Sequence, residues 1–151
     1  MKTLNQWNTS TLVRNLMTQH GLIAAGWSFG YDRAKRRAGC CHQRTKTITL
    51  SINFVIRNND DEIKDTILHE IAHALAGPGH GHNAHWKAIC RKIGAKPVRC
   101  YNSDIVSMPK GRYQATCGCC QKTFHKHRRP RRPGHYCKAC GPARGKLQFV
   151  A

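Results

Sequence analysis

The chain has 151 residues and 40% hydrophobic residues, close to the commonest size of a single domain and enough for a modest core. Its formal net charge of +19 predicts a polyanionic partner, with nucleic acid preferred over a membrane surface. No run of about 18 apolar residues is present, which argues against a membrane span. The first eight residues lack the apolar stretch of a signal peptide, so secretion is not expected. Nine cysteines, an odd number without an export signal, favour metal binding over disulfides.

The charge balance changes near residue 108. Residues 1–108 contain all seven acidic residues, whereas residues 109–151 contain 11 Lys and Arg, no acid and five of the nine cysteines. The second segment is too short to fold on apolar burial alone. The sequence therefore predicts a core-forming domain over residues 1–108 and a small, basic, cysteine-rich domain over residues 109–151.

Hydrophobic patterning predicts the main elements of the first domain. We expect a helix over residues 9–20, a strand over residues 45–56 and a short helix over residues 83–93. A stronger helix begins near Asn59, which stands three residues before Glu62 as in a capping box. Its expected buried stripe has one aliphatic residue every four positions: Ile63, Ile67, Ile71 and Leu75. Gly77-Pro78-Gly79 then ends this helix.

The motif His69-Glu70-Ile71-Ala72-His73 lies in the middle of the strong helix. Histidines four residues apart project from one helix face, so both can bind one metal ion. Glu70 lies beside them without being a ligand. Zinc bound in this way lowers the pKa of water to about 7, and Glu70 can accept the proton as general base. The alternative is a chance spacing on a buried helix. Two imidazoles without a ligand are unfavourable in a buried environment, which argues against it.

A catalytic zinc ion needs a third protein ligand and an open position. Glu70 is the last Glu of the chain, which excludes a downstream Glu ligand. The compact motif with a histidine six residues after His73 is also excluded, because Gly79 occupies that position. The third ligand is therefore expected among the histidines of the glycine-rich loop and the residues just after it: His80, His82 and His85.

Two Cys-x-x-Cys pairs define a second predicted metal site. They are separated by 16 residues, a spacing typical of a structural zinc ribbon with four thiolate ligands: Cys117, Cys120, Cys137 and Cys140. Four thiolates leave no position for a reactive water. Metal binding would supply the folding energy that this basic segment lacks.

Basic residues between the two Cys pairs form a candidate nucleic-acid surface. We expect them on the tip of a hairpin, where they contact phosphates: Lys126, Arg128, Arg129, Arg131 and Arg132. Phe124 and Tyr136 flank this stretch and are expected either to stack on unpaired bases or to pack in the ribbon core. A solvated loop and a nuclear-import signal are the alternatives for the arginines.

The stretch from Gly26 to about Asp104 resembles the SprT-like family of zinc metallopeptidases. The similarity rests on an ordered set of segments: Trp27-Ser28-Phe29-Gly30-Tyr31-Asp32, the basic turn 33–39, the strand Ile48-Thr49-Leu50-Ser51, the helix motif at 69–73 and a Gly-His segment closed by Trp86. The resemblance implies an α+β fold with a small zincin-like core, in which the motif helix packs on a short sheet, followed by a zinc ribbon. The family's third ligand lies four residues before the closing aromatic residue, which selects His82.

The resemblance also implies a function, because spartan-type relatives cleave proteins crosslinked to DNA and need DNA for activity. We therefore expect a zinc endopeptidase with a catalytic and a structural Zn²⁺, acting in DNA repair on DNA-associated proteins. The expected DNA is single-stranded or contains junctions, and the expected state is a monomer in the cytoplasm at the nucleoid, or in the nucleus of a eukaryote. Two alternatives are a nucleic-acid-binding protein with a structural or vestigial first zinc, and a peptidase whose charge serves only solubility or acidic substrates.

Overall fold

A computed structural model describes the backbone of residues 2–151 and the side chains from residue 8 onwards. Met1, where the first predicted domain begins, lies outside the described residues. The chain divides into two compact units, Met1–Met108 and Pro109–Ala151. The division falls where the charge balance of the sequence changes. Among the described residues, no helix is both long enough and apolar enough to cross a membrane.

The first unit combines helices with a small mixed sheet. Its elements, in chain order, are α1 (Lys2–Gln19), β1 (Ser28–Asp32), β2 (Gly39–His42), β3 (Thr47–Ser51), α2 (Ile52–Val55), α3 (Asp60–Ala76) and α4 (Ala84–Ile93). The strand order is β1-β3-β2, so β2 lies at one edge. β1 pairs with β3 in parallel, with Phe29 opposite Ile48, and β2 pairs with β3 in the antiparallel sense, with Cys41 opposite Ile48.

Local sequence signals set both ends of α3. The Asn59 side chain accepts a hydrogen bond from the backbone N–H of Glu62 at 2.9 Å, so the predicted cap is present. Three acidic residues in the first turn suit the positive end of the helix dipole. The helix ends at Gly77, whose φ of 83° is easily adopted by glycine. The strong helix predicted from the sequence therefore forms, and it carries the histidine motif in its second half.

The core of the first unit lies between α3, the sheet and the flanking helices. Ile63, Ile67 and Ile71 are at most 1% exposed, as the four-residue spacing predicts. Leu75 departs from the predicted stripe and is 39% exposed. A four-residue repeat advances about 40° per step around a helix with 3.6 residues per turn, so three steps rotate Leu75 by about 120° from Ile63.

The predicted strand over residues 45–56 was wrong in its second half. The strand ends at Ser51, and Ile52–Val55 form the short helix α2. Phe54 and Val55 are fully buried there. A continuous apolar run carries no period that distinguishes a strand from a buried helical turn, which explains the error.

The second unit is built around a two-stranded hairpin. β4 (Tyr113–Thr116) pairs with β5 (Thr123–Lys126) in the antiparallel sense, and a short helix α5 (Gly141–Arg144) follows near the end. Its buried core is small and consists of Ala115, Cys117, Cys137 and Leu147. The hairpin turn contains the first Cys pair. The expectation that the arginines lie on a hairpin tip was therefore wrong, because Arg128–Arg132 follow β5 in an irregular segment.

Candidate metal centres

Three histidine side chains of the first unit meet at one point. The Nε2 atom of His82 lies 3.1 Å from Nε2 of His73 and 3.2 Å from Nε2 of His69. Their ligand atoms form a group that can hold a metal ion, with all of them within 4.8 Å of one another. The structure therefore brings together the helix pair and His82, the ligand that the family resemblance selects. His80 and His85 are outside this group, and their rings lie 4.6 Å apart.

Local structure explains how His82 reaches the helix pair. His69 and His73 are one turn apart on α3, and the chain reverses after the helix through Gly77 and Gly79, which both have positive φ. Asn83 then caps α4, with its side chain accepting from the backbone N–H of Trp86 at 3.1 Å. This cap fixes the residue next to His82 at the start of a helix.

The Trp86 ring packs against all three imidazoles. Its ring centroid lies 4.8 Å from that of His69, 5.1 Å from that of His73 and 4.6 Å from that of His82. The residue is fully buried, and among the described residues its Nε1 has no hydrogen-bond partner. Because the indole contacts all three rings, it restricts their rotamers and orients their nitrogens.

The spacing of the three nitrogens fits a transition metal. Ligands about 2.0–2.1 Å from a tetrahedral zinc ion stand about 3.3 Å apart, close to the observed separations. Burial, reinforced by the charges of His73 and His82, lowers the pKa of His69 to about 4. Burial also lowers the pKa of His73 and of His82. The imidazoles are therefore neutral at pH 7, which is the form that binds metals.

Glu70 lies beside the histidines in a nearly dry setting. The residue is 6% exposed, and burial raises its pKa to about 8, while the charge of Arg37 and a hydrogen bond with the backbone of Cys41 act in the opposite direction. A cation held by the imidazoles would lower this pKa. A metal ion held by the imidazoles would therefore favour the ionised carboxylate of Glu70.

A cavity of about 850 Å³ contains the histidines and Glu70. Its lining includes β2 and the turn before it, with Arg37 and Cys41, and the segment 98–101. Val98 and Tyr101 of this segment are 52% and 38% exposed. A cavity of this size with apolar walls and convergent polar groups is typical of a site for a peptide or small molecule.

The second unit brings its four predicted ligands together. The thiols of Cys117, Cys120, Cys137 and Cys140 form a group that can hold a metal ion, with Cys120 Sγ and Cys137 Sγ 3.7 Å apart. Ligands about 2.3 Å from a tetrahedral zinc ion stand about 3.8 Å apart, so the separation fits. Backbone N–H groups of Cys120 and Cys119 hold the pKa of Cys117 down to about 7, which favours the thiolate. Cys119 itself is exposed and outside the group.

The predicted nucleic-acid residues have different surroundings. The four arginines Arg128, Arg129, Arg131 and Arg132 are exposed. Tyr136 is 47% exposed, whereas Phe124 packs against the small ribbon core. The Nζ of Lys126 lies 3.2 Å from both ring nitrogens of His135 and 4.7 Å from the centre of the Phe149 ring. Phe124 and Lys126 thus contribute to the packing of the second unit, while the arginines and Tyr136 face solvent.

Sequence reasoning missed several groups around the first centre. The charge of Arg37, in the turn before β2, and the backbone of Cys41, in β2, act on Glu70, and Gln43 donates a hydrogen bond to the backbone carbonyl of His73. No periodicity or motif links these residues to α3, because the contacts depend on how the sheet packs. The sequence places Trp86 on the apolar side of the helix predicted over residues 83–93 and at the end of the family motif, but does not predict its contact with the three imidazoles.

Comparison with known proteins shows which family the first unit matches. The SprT-like family model matches residues 2–108. Protein SprT of Pseudomonas putida strain F1 is 28% identical over 116 residues, covering 70% of this chain and 71% of that protein. Protein SprT of Glaesserella parasuis serovar 5 is 24% identical over 120 residues, covering 73% and 76%. No solved structure gives a significant match. The chain belongs to the SprT-like family, which implies a role related to metallopeptidases.

Proposed function

We propose that the chain is a zinc-dependent endopeptidase that cleaves proteins bound or crosslinked to DNA. The observation that carries the proposal is the convergence of His69, His73 and His82 on one point, with Glu70 in the same cavity. Three neutral imidazoles are a known donor set for catalytic zinc. The proposed core is zincin-like, with the motif helix α3 beside the edge strand β2.

Each protein group has a distinct role in the proposed reaction. Zinc, when bound, acts as a Lewis acid and lowers the pKa of its water to about 7. Glu70 accepts a proton from the attacking water and then donates it to the amide nitrogen that leaves. The substrate lies in the cavity that β2 and the segment 98–101 line, where Val98 and Tyr101 offer apolar contact.

The histidine centre is better suited to catalysis than to a purely structural role. Among the described residues, no fourth His, Cys, Asp or Glu belongs to the group formed by the three imidazoles. A structural zinc site is normally closed by four protein ligands, whereas a catalytic site keeps one position for water. The four-thiolate group of the second unit is of the closed type, and we assign it a structural zinc ion.

DNA is the proposed partner of the second unit. Residues 109–151 contain 11 Lys and Arg and no acid, so no carboxylate of this unit neutralises its exposed arginines. Tyr136 presents an exposed ring that suits stacking on an unpaired base. These features favour single-stranded DNA or junctions, and binding there would bring the peptidase to proteins on DNA.

A cleavage assay tests the catalytic part of the proposal. The substrate is a DNA-binding protein crosslinked to a single-stranded oligonucleotide, offered with the zinc-loaded wild type and with Glu70→Gln. We expect the wild type to cleave it and Glu70→Gln to be at least a hundredfold slower while retaining zinc. Equal rates for the two proteins would refute the role of Glu70, and no cleavage by the wild type would refute the peptidase.

Fluorescence anisotropy with a labelled oligonucleotide tests the DNA part. Affinity should fall steeply with salt, and Arg128→Ala should reduce the slope of log K against log salt by about 0.7 for a single strand. Arg14→Ala removes an equal charge from an exposed position of the first unit and serves as control. A salt-independent affinity, or equal effects of the two variants, would contradict the proposed surface.

A further inference from the structure

Gly39, the first residue of the edge strand β2, has no side chain, and the Glu70 side chain occupies the space beside it. A Cβ atom added to Gly39 would lie 3.0 Å from Cγ of Glu70 and 3.1 Å from its Oε1. The same Cβ would lie 3.1 Å from Cδ2 of Leu50. Contacts this short are tighter than about nine in ten Cβ contacts in proteins, so a neighbour would have to move by a few tenths of an ångström.

The two neighbours differ in the space beside them, because Glu70 lines the cavity and Leu50 does not. Leu50 is fully buried in the sheet, and Glu70 is 6% exposed with a hydrogen bond to the backbone of Cys41. Buried side chains at protein packing density relax only partly when volume is added. Since the Glu70 carboxyl is nearer to the open cavity than Leu50, a methyl group at position 39 would displace the carboxyl.

The backbone does not require glycine at this position. Gly39 lies within a regular strand and is not among the residues with positive φ, unlike Gly77 and Gly79. Any residue can adopt a strand conformation, and glycine usually weakens a strand. The absence of a side chain, and not backbone freedom, is therefore the feature of Gly39 that the structure uses.

We propose that Gly39 is a positioning residue, which sets the place of the Glu70 carboxyl by leaving it room against β2. This inference rests on the proposed peptidase function, in which Glu70 transfers the proton. Displacing a proton acceptor by a few tenths of an ångström lowers the rate of the chemical step and leaves substrate binding unchanged. The three atoms nearest to a Cβ at position 39 belong to Glu70 and Leu50 and not to an imidazole, so we expect metal binding to be unaffected.

The test compares Gly39→Ala with Gly30→Ala in the zinc-loaded full-length protein. Gly30 also lies in the sheet without a positive φ, but a Cβ added there meets nothing within 4 Å. We expect Gly39→Ala to lower kcat about tenfold with KM and zinc content unchanged, and Gly30→Ala to retain full activity. Loss of zinc, a change confined to KM, or equal effects of the two variants would overturn the proposal.

A stability cycle tests the same contact without relying on activity. Gly39→Ala should lower Tm by about 3 °C in the wild type and by a smaller amount in Glu70→Ala, where both contacted atoms of Glu70 are gone and only the Leu50 contact remains. An equal loss in both backgrounds would show that position 39 and Glu70 are independent, and would overturn the proposal. If the wild type proves inactive, the peptidase assignment fails, while this cycle still decides whether Gly39 makes room for Glu70.

Discussion

Replacing Asp32 by Asn is expected to destabilise the first unit by about 1–2 kcal/mol at pH 7. The Asp32 carboxylate accepts hydrogen bonds from the backbone N–H of Ala34 at 2.8 Å, from the Thr49 hydroxyl at 2.8 Å and from Arg37 at 2.6 Å. An asparagine can retain the first of these, but its amide cannot match the charge-assisted bond from the guanidinium. Such bonds contribute about 1.5–3 kcal/mol, reduced here because the Arg37 side chain is 45% exposed.

The free energy of unfolding that Asp32→Asn loses should be largest near neutral pH and should shrink in acid. Burial raises the pKa of Asp32, but the hydrogen bonds from Ala34, Arg37 and Thr49 and the charge of Arg37 outweigh it, so the pKa lies below its ordinary value of 3.8. A lowered pKa in the folded state means that the unfolded state binds the proton more readily. The contribution of Asp32 is therefore complete above about pH 5 and is lost as the pH falls through the pKa of the folded state.

Urea unfolding, followed by the helical circular dichroism signal, measures the difference in unfolding free energy between the wild type and Asp32→Asn. Both proteins are compared at pH 7, 5, 4 and 3.5 with a chelator present, so that release of metal at low pH does not contribute. The difference between wild type and Asp32→Asn should be constant down to about pH 5 and then shrink. Equal stability at pH 7, or a difference that grows as the pH falls, would refute the assigned contacts.

Three further perturbations have defined outcomes. Ile67→Ala should lower the free energy of unfolding by about 3 kcal/mol in urea titrations, because Ile67 is fully buried in α3; a loss below about 1 kcal/mol would contradict that packing. Cys137→Ser should remove one zinc ion per chain by elemental analysis and unfold residues 109–151 with little loss of helical signal; unchanged zinc content would contradict the ribbon. His82→Ala should remove the other zinc ion, whereas His85→Ala should retain it; the reverse result would reassign the third ligand.

Local signals account for the part of the fold that could be predicted. Asn59 and Gly77 mark the two ends of α3, and a cap or a positive φ acts within one turn of chain. The spacing of His69 and His73 determines their common face by helix geometry alone. These features require no knowledge of tertiary structure, which is why a single sequence predicts them.

Contacts between distant segments could not be predicted in the same way. Three histidines were possible third ligands, since nothing local fixes how the loop after α3 turns back, and the family resemblance supplied the choice of His82. The approach of Gly39 and Arg37 to Glu70 joins segments some thirty residues apart in the chain. It depends on the order β1-β3-β2, which the sequence pattern did not indicate.

X-ray absorption at the zinc edge tests the central claim most directly. The sample is Cys137→Ser, in which the second unit cannot assemble four thiolates, so that only the histidine centre contributes. We expect one zinc ion with three imidazole nitrogens and at least one oxygen from water, at about 2.0–2.1 Å. A fourth protein ligand would make the centre structural, and the absence of bound zinc would contradict the assignment of His69, His73 and His82.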